Sequence, residues 1–154
     1  MIYPSDIETA AETWNANCGP AALAAILERS LADTRSLLEG FEERRCMNIS
    51  AVLKALRNAN VVFKSRLKTR PSYGLVFIQW GGHEKKPAFV QYKFTHWIAV
   101  DGDTVFEINA LRLLSWDEWQ QQMPLTAKEE GWGDGTFFIR SAIEIYRKPS
   151  SDIA

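Results

Sequence analysis

The sequence predicts an α+β fold in which a helical layer comes first and an antiparallel sheet follows. Three observations carry this reading. Apolar residues recur at helical spacing up to Leu56, they alternate with polar ones from Val61 onward, and two apolar runs flank an Asp101-Gly102-Asp103 turn of hairpin type. The 154 residues, 46% of them hydrophobic, suffice for one well-filled core and not for two. Residues 1–148 are read as a single domain, with 149–154 a polar tail.

The first element is a loop, Asn15-Ala16-Asn17-Cys18-Gly19, opening into a helix at Pro20. Proline is tolerated in a first helical turn, and the alanine-rich run after it propagates well. Leu23, Ile26 and Leu27 form an i, i+3, i+4 stripe, while Ala21, Ala22, Ala24 and Ala25 let neighbours approach closely, so this helix belongs inside the domain. Cys18 then faces the positive end of the helix, where unpaired N–H groups and the macrodipole favour a thiolate. Asp33 and Thr34 read as the cap of a second helix with Leu37, Leu38 and Phe41 inward and Gly40 near its end; a third begins after Asn48 or Ser50 and carries Val52, Leu53 and Leu56. Cys46, followed by Met47 and Asn48 with no glycine or proline to shape a turn, reads as structural.

From Val61 the period is two. Lys64, Arg66, Lys68 and Arg70 share one face of a strand, as a charged edge or an anion-binding ladder. Leu75, Val76, Phe77 and Ile78 run unbroken into Trp80 as a strand buried on both faces, before Gly81 and Gly82 break it. His83 lies in a polar loop and is expected to meet solvent. His96 begins the first strand of the hairpin, His96 to Val100, and Val105 to Asn109 returns. With Gly102 and Asp103 at the centre of the turn, His96 faces Asn109; with Asp101 and Gly102 there, it faces Glu107. Either side chain can accept a hydrogen bond from the imidazole. Ser115 to Glu118 is a capping box opening a short helix with Trp119 and Met123, Gly131 to Gly135 is a glycine-rich loop carrying Trp132, and Phe137 to Tyr146 is a last strand that closes the sheet.

Composition narrows the function classes. A net charge of −1 gives no general pull toward nucleic acid or anionic membrane, so nucleic acid is not an expected partner. No stretch reaches the roughly 20 apolar residues of a membrane span. No basic start runs into an apolar segment, and two cysteines make a weak disulfide argument, so a cytoplasmic location is expected.

Asn-Cys-Gly-Pro followed by a small-residue helix, with His96-Trp97-Ile98-Ala99-Val100 and a returning strand in the same chain order, resembles the papain-like cysteine peptidases, in particular the bacteriocin-processing branch that cleaves double-glycine leaders. That resemblance implies a papain-like plan over 1–148, in which the helical layer carries Cys18 and the sheet carries His96, with the cleft between them. It implies a Cys18, His96, Asn109 triad, Asn109 being favoured over Glu107 because it falls at the position of the family's orienting residue. The Gln that the family carries before its cysteine falls at Glu12, so Asn15 or Asn17 is expected to supply an oxyanion amide beside the Cys18 backbone N–H. Neither metal nor other cofactor is implied. The expected partner is a peptide or protein substrate, cut through a thioester that water resolves, or an amine in an acyltransferase of transglutaminase type. The other class to weigh is a non-catalytic binding module using the basic face Lys64–Arg70. Trp14, Trp97 and Trp132 are candidates to line the cleft.

Overall fold

Pro20 at the third position of its helix and four alanines behind it build an element that can be surrounded on all sides, and the rest of the fold is laid around it. In the computed structural model, which describes residues 1–44, 47–81 and 94–147, the N-terminal half forms α1 (Ile7–Trp14), α2 (Cys18–Leu27), α3 (Leu31–Thr34), a 3-10 turn (Arg35–Leu37), α4 (Phe41–Arg44) and α5 (Ile49–Asn58). The rest forms β1 (Val62–Leu67), β2 (Tyr73–Trp80), β3 (Thr95–Asp101), β4 (Thr104–Phe106), β5 (Leu114–Ser115), α6 (Trp116–Glu129) and β6 (Phe137–Tyr146). Cys46, His83 and the polar tail lie outside the described residues.

Among the described residues the strands make one six-stranded sheet in the order β1-β6-β2-β3-β4-β5, every pair antiparallel. The last strand, expected to close the sheet after a meander of antiparallel strands, does not follow chain order. It lies between β1 and β2, because Ala142, Ile143 and Ile145 need cover on both faces and only an interior position gives it. Each face of the sheet has its own core. Leu75, Phe77, Trp97, Ala99 and Ile143 meet the helical layer α1–α5, while Val76, Ile78, Ile98, Val100 and Ala142 meet Trp119, Met123 and Ala127 of α6. Fully buried Leu23, Leu31 and Leu56 each contribute about 1.5–3 kcal/mol on the helical side.

The helix expected around Leu37 and Phe41 is broken. Ser30, not Asp33 or Thr34, caps α3 by accepting from Asp33 N at 3.1 Å; Thr34 sits buried within it and Gly40 (φ 75°) separates the 3-10 turn from α4. Asn48 caps α5 as expected, its Oδ1 accepting from Ala51 N at 2.8 Å. The helix after Ser115 is longer than expected, 14 residues with Pro124 inside it, and its capping box is present. No helix among the described residues is long and apolar enough to cross a membrane.

The basic ladder does not hold as one face. β1 ends at Leu67, a bulge between Lys64 and Leu67 puts Arg66 at φ 61°, and Arg70 turns away to lie 4.8 Å over the Trp116 ring.

Candidate active site

Cys18 is the first residue of α2. Asn17 precedes it in extended conformation, and the Asn17 side chain accepts from Gly19 N at 3.4 Å, so the cap holds the loop while the thiol stays at the helix mouth. Gly19 lets Met47 lie against this turn: a Cβ there would stand 2.7 Å from the Met47 sulfur. Met47 in turn accepts from Trp97 Nε1 at 2.8 Å. The nucleophile loop is thereby tied to β3, the strand that carries His96.

His96 is buried at the start of β3 and its Nε2 lies 2.6 Å from Glu107 Oε1. With Nε2 so engaged, the hydrogen bond between His96 and Cys18 falls to the other ring nitrogen, and the Trp97 backbone N–H adds a second donor to the sulfur. Glu107 is fully buried. Its Oε2 accepts from Trp119 Nε1 at 2.9 Å, and its Oε1 also accepts from Asn109 N at 3.3 Å and Asn109 Nδ2 at 3.2 Å. Trp119 belongs to a stack of indoles, 5.6 Å from Trp80 and 5.2 Å from Trp116, and Trp80 lies 5.5 Å from the imidazole. The pair therefore sits against apolar rings that exclude water.

The hairpin register explains why Glu107 and not Asn109 meets the ring. Asp101 pairs with Thr104, Val100 with Val105 and Ala99 with Phe106, so Gly102 and Asp103 are central and the projected partner of His96 is Asn109. The ladder stops at Phe106, however, and a turn closed by Ala110 N to Glu107 O at 3.0 Å takes Asn109 out of strand geometry. Glu107 keeps the face that His96, Ile98, Val100 and Val105 share, and its longer side chain covers the diagonal. Asn109, the residue favoured from the sequence, donates to Glu107 instead, and the Glu107 carboxylate, the other residue weighed, is the one that meets the imidazole.

The electrostatics follow from this geometry. Burial pushes the His96 imidazole toward neutrality, but the Glu107 carboxylate, then Cys18, outweigh it and raise its pKa to about 10. Burial pushes the Cys18 thiol up, yet the His96 charge and the hydrogen bonds from His96 and the Trp97 N–H bring it below an ordinary thiol. Burial raises Glu107 too, and the charge and hydrogen bond of His96 with the Trp119 N–H leave it below an ordinary glutamate. All three directions favour thiolate, imidazolium and carboxylate in a row. Such an array can present a nucleophile and a proton to the same carbonyl.

A groove of about 440 Å³ opens on Cys18 and His96, with Asn17, Trp80, Asn109 and Trp132 among its walls. Asn17 lines it; Asn15 does not. Asn15 is the left-handed cap of α1 (φ 57°), exposed, with its N–H bonded to Ala11 O. Glu12 is exposed on α1. The tryptophans divide the same way. Trp14 is core, edge-on to Phe41, and Trp97 is core, stacked 4.5 Å from Phe77, while Trp132 is 39% exposed at the groove. Its loop is seated by glycine: a Cβ on Gly133 (φ 93°) would stand 2.9 Å from the backbone of Gly81. Trp80 and Trp119 were not expected at the site; Trp119, on the helix after the hairpin, supplies the indole N–H that the buried carboxylate accepts. No protein-family model matches the chain, and no curated protein or solved structure gives a match.

Proposed function

We propose that this chain is a cysteine peptidase or amidase of papain-like plan, acting through Cys18, His96 and Glu107. One observation carries the reading: His96 stands between a thiol at a helix N-terminus and a fully buried carboxylate that has no other cation beside it among the described residues. A buried ion pair is costly to form and contributes little net stability, so a constellation that holds all three groups in their charged forms is better explained by chemistry than by folding. The helical layer bearing Cys18 and the sheet bearing His96 support the papain-like plan.

In this reading the Cys18 thiolate attacks the substrate carbonyl carbon, and the Cys18 N–H at the start of α2 faces the developing oxyanion. The His96 imidazolium gives its proton to the leaving amine, whose bond to carbon breaks, and a thioester remains on Cys18. A water then gives its proton to His96 and its oxygen to the carbonyl, and the acid leaves as the thiolate returns. Glu107 holds the ring in the tautomer that presents its other nitrogen to sulfur.

Labelling with iodoacetamide over a range of pH tests the reading. Cys18 is expected to react well below the pH at which a free thiol does, with loss of labelling in Cys18→Ala and a return to free-thiol pH dependence in His96→Ala. Reaction of native protein only above pH 8 would overturn it.

A further inference from the structure

Thr95, next to His96, borders a second cavity of about 820 Å³, whose walls include Arg66, Lys68, Arg140, Asn48 and Ser50. We infer that this cavity is the subsite for an acidic side chain of a peptide substrate, so that the enzyme prefers Asp or Glu within a few residues of the bond it cuts. The inference rests on the peptidase reading and adds its substrate class.

The argument is one of charge and placement. Among the described residues three cations line the cavity and no carboxylate does. Neither Arg66 nor Lys68 has a carboxylate partner among the described residues, whereas Arg70 on the same stretch lies over Trp116 with Asp103 at 3.9 Å. Lys68 uses one of its donors on the Arg140 carbonyl at 2.8 Å, which holds the ammonium in place with further N–H groups to give. The bulge in β1 is what separates Arg66 from the edge-strand pattern. A chain of net charge −1 that gathers cations in one concavity beside its thiol carries a local field opposite to its overall sign. Thr95 is a wall of both cavities, so the basic one adjoins the groove that opens on Cys18.

The test uses fluorescein-labelled peptides that differ only in Glu or Gln at each of the three positions on either side of the cut, and full-length protein. Binding is read by anisotropy with the Cys18→Ala chain, and cleavage with the native one. The Glu peptide of one position is expected to bind Cys18→Ala about tenfold more tightly than its Gln partner at low salt, the gap closing as salt rises. In the Arg66→Glu, Lys68→Glu double variant the preference is expected to reverse toward a Lys peptide. Equal binding of Glu and Gln peptides, or a preference untouched by charge reversal, overturns the subsite, as does tighter binding of a single-stranded oligonucleotide than of the Glu peptide. Absence of cleavage by native protein while the charge-dependent binding persists would strike the peptidase reading alone.

Discussion

Glu107 reaches His96 across a diagonal of the β3–β4 hairpin, at 2.6 Å, from a position whose directly opposed residue is Ile98 in the projected register. The carboxylate is anchored on its other side by Trp119 and is closed off from water. The contact is therefore long in side chain and short in sequence, and it raises the imidazole far above its ordinary range.

Replacing Glu107 by Gln removes that charge while keeping an acceptor. On the peptidase reading the alkaline limb of kcat/KM follows loss of the His96 proton, expected near pH 10 in the native chain, and in this variant it is expected to move down toward the ordinary histidine value of 6.5. Glu107→Ala should cost about 100-fold or more in kcat/KM, and Asn109→Ala less than about tenfold, since Asn109 acts on Glu107 rather than on the ring. A pH–rate series on the three variants checks both; an Asn109→Ala loss equal to that of Glu107→Ala would return the orienting role to Asn109.

Trp119→Phe keeps an aromatic ring, smaller than the indole, and deletes the N–H that Glu107 Oε2 accepts. A buried carboxylate oxygen without its donor is expected to cost about 1–3 kcal/mol of stability in chemical denaturation. The loss should be smaller in the Glu107→Gln background, and additivity of the two would show that the bond is not made.

Stability should follow pH through the same pair. His96, raised from 6.5, contributes stability fully present below 6.5 and lost as pH rises through its folded value. Glu107, lowered from 4.5, contributes stability present above 4.5 and lost as pH falls through its folded value. The measurement is best made on Cys18→Ala, because the lowered thiol acts with the opposite sign to His96, gaining the folded state stability as pH rises. The free-energy gap between Cys18→Ala and Cys18→Ala, Glu107→Gln is expected to be widest between pH 4.5 and 6.5 and to narrow on both sides. A gap independent of pH would mean the pair is not charged.

Trp132 is an exposed wall of the groove beside Cys18, which on the peptidase reading favours small residues such as Gly or Ala next to the cut; Trp132→Ala is expected to relax that preference and to leave the thermal midpoint within a few degrees. Trp97→Ala removes a buried ring stacked on Phe77 and should cost about 3–5 kcal/mol. A peptide library and a melting curve on each variant separate the two roles.

The parts of the site that local chemistry specifies were legible in the chain. Cys18 before a proline-started alanine helix, and His96 at the head of an apolar strand, follow from capping, propensity and alternation over a few residues. Glu107 was legible only as an alternative, because the choice turns on where a ladder ends, and that depends on the turn at Glu107–Ala110. The interior place of β6 and the cover that α6 gives the second face are decisions among distant elements, which periodicity within one element does not encode. Trp97 shows the same limit: its position beside His96 suggested a cleft wall, yet strand alternation turns it to the opposite face, into the helical core.

The stacked indoles of Trp80, Trp119 and Trp116 also place natural fluorophores at the site. A protonated imidazole accepts an electron from an excited indole, and His96 lies 5.5 Å from Trp80, which is itself stacked 5.6 Å from Trp119. At neutral pH the native chain should therefore emit more weakly than His96→Ala, so that the charge state of the imidazole can be followed by fluorescence alone, with no substrate bound.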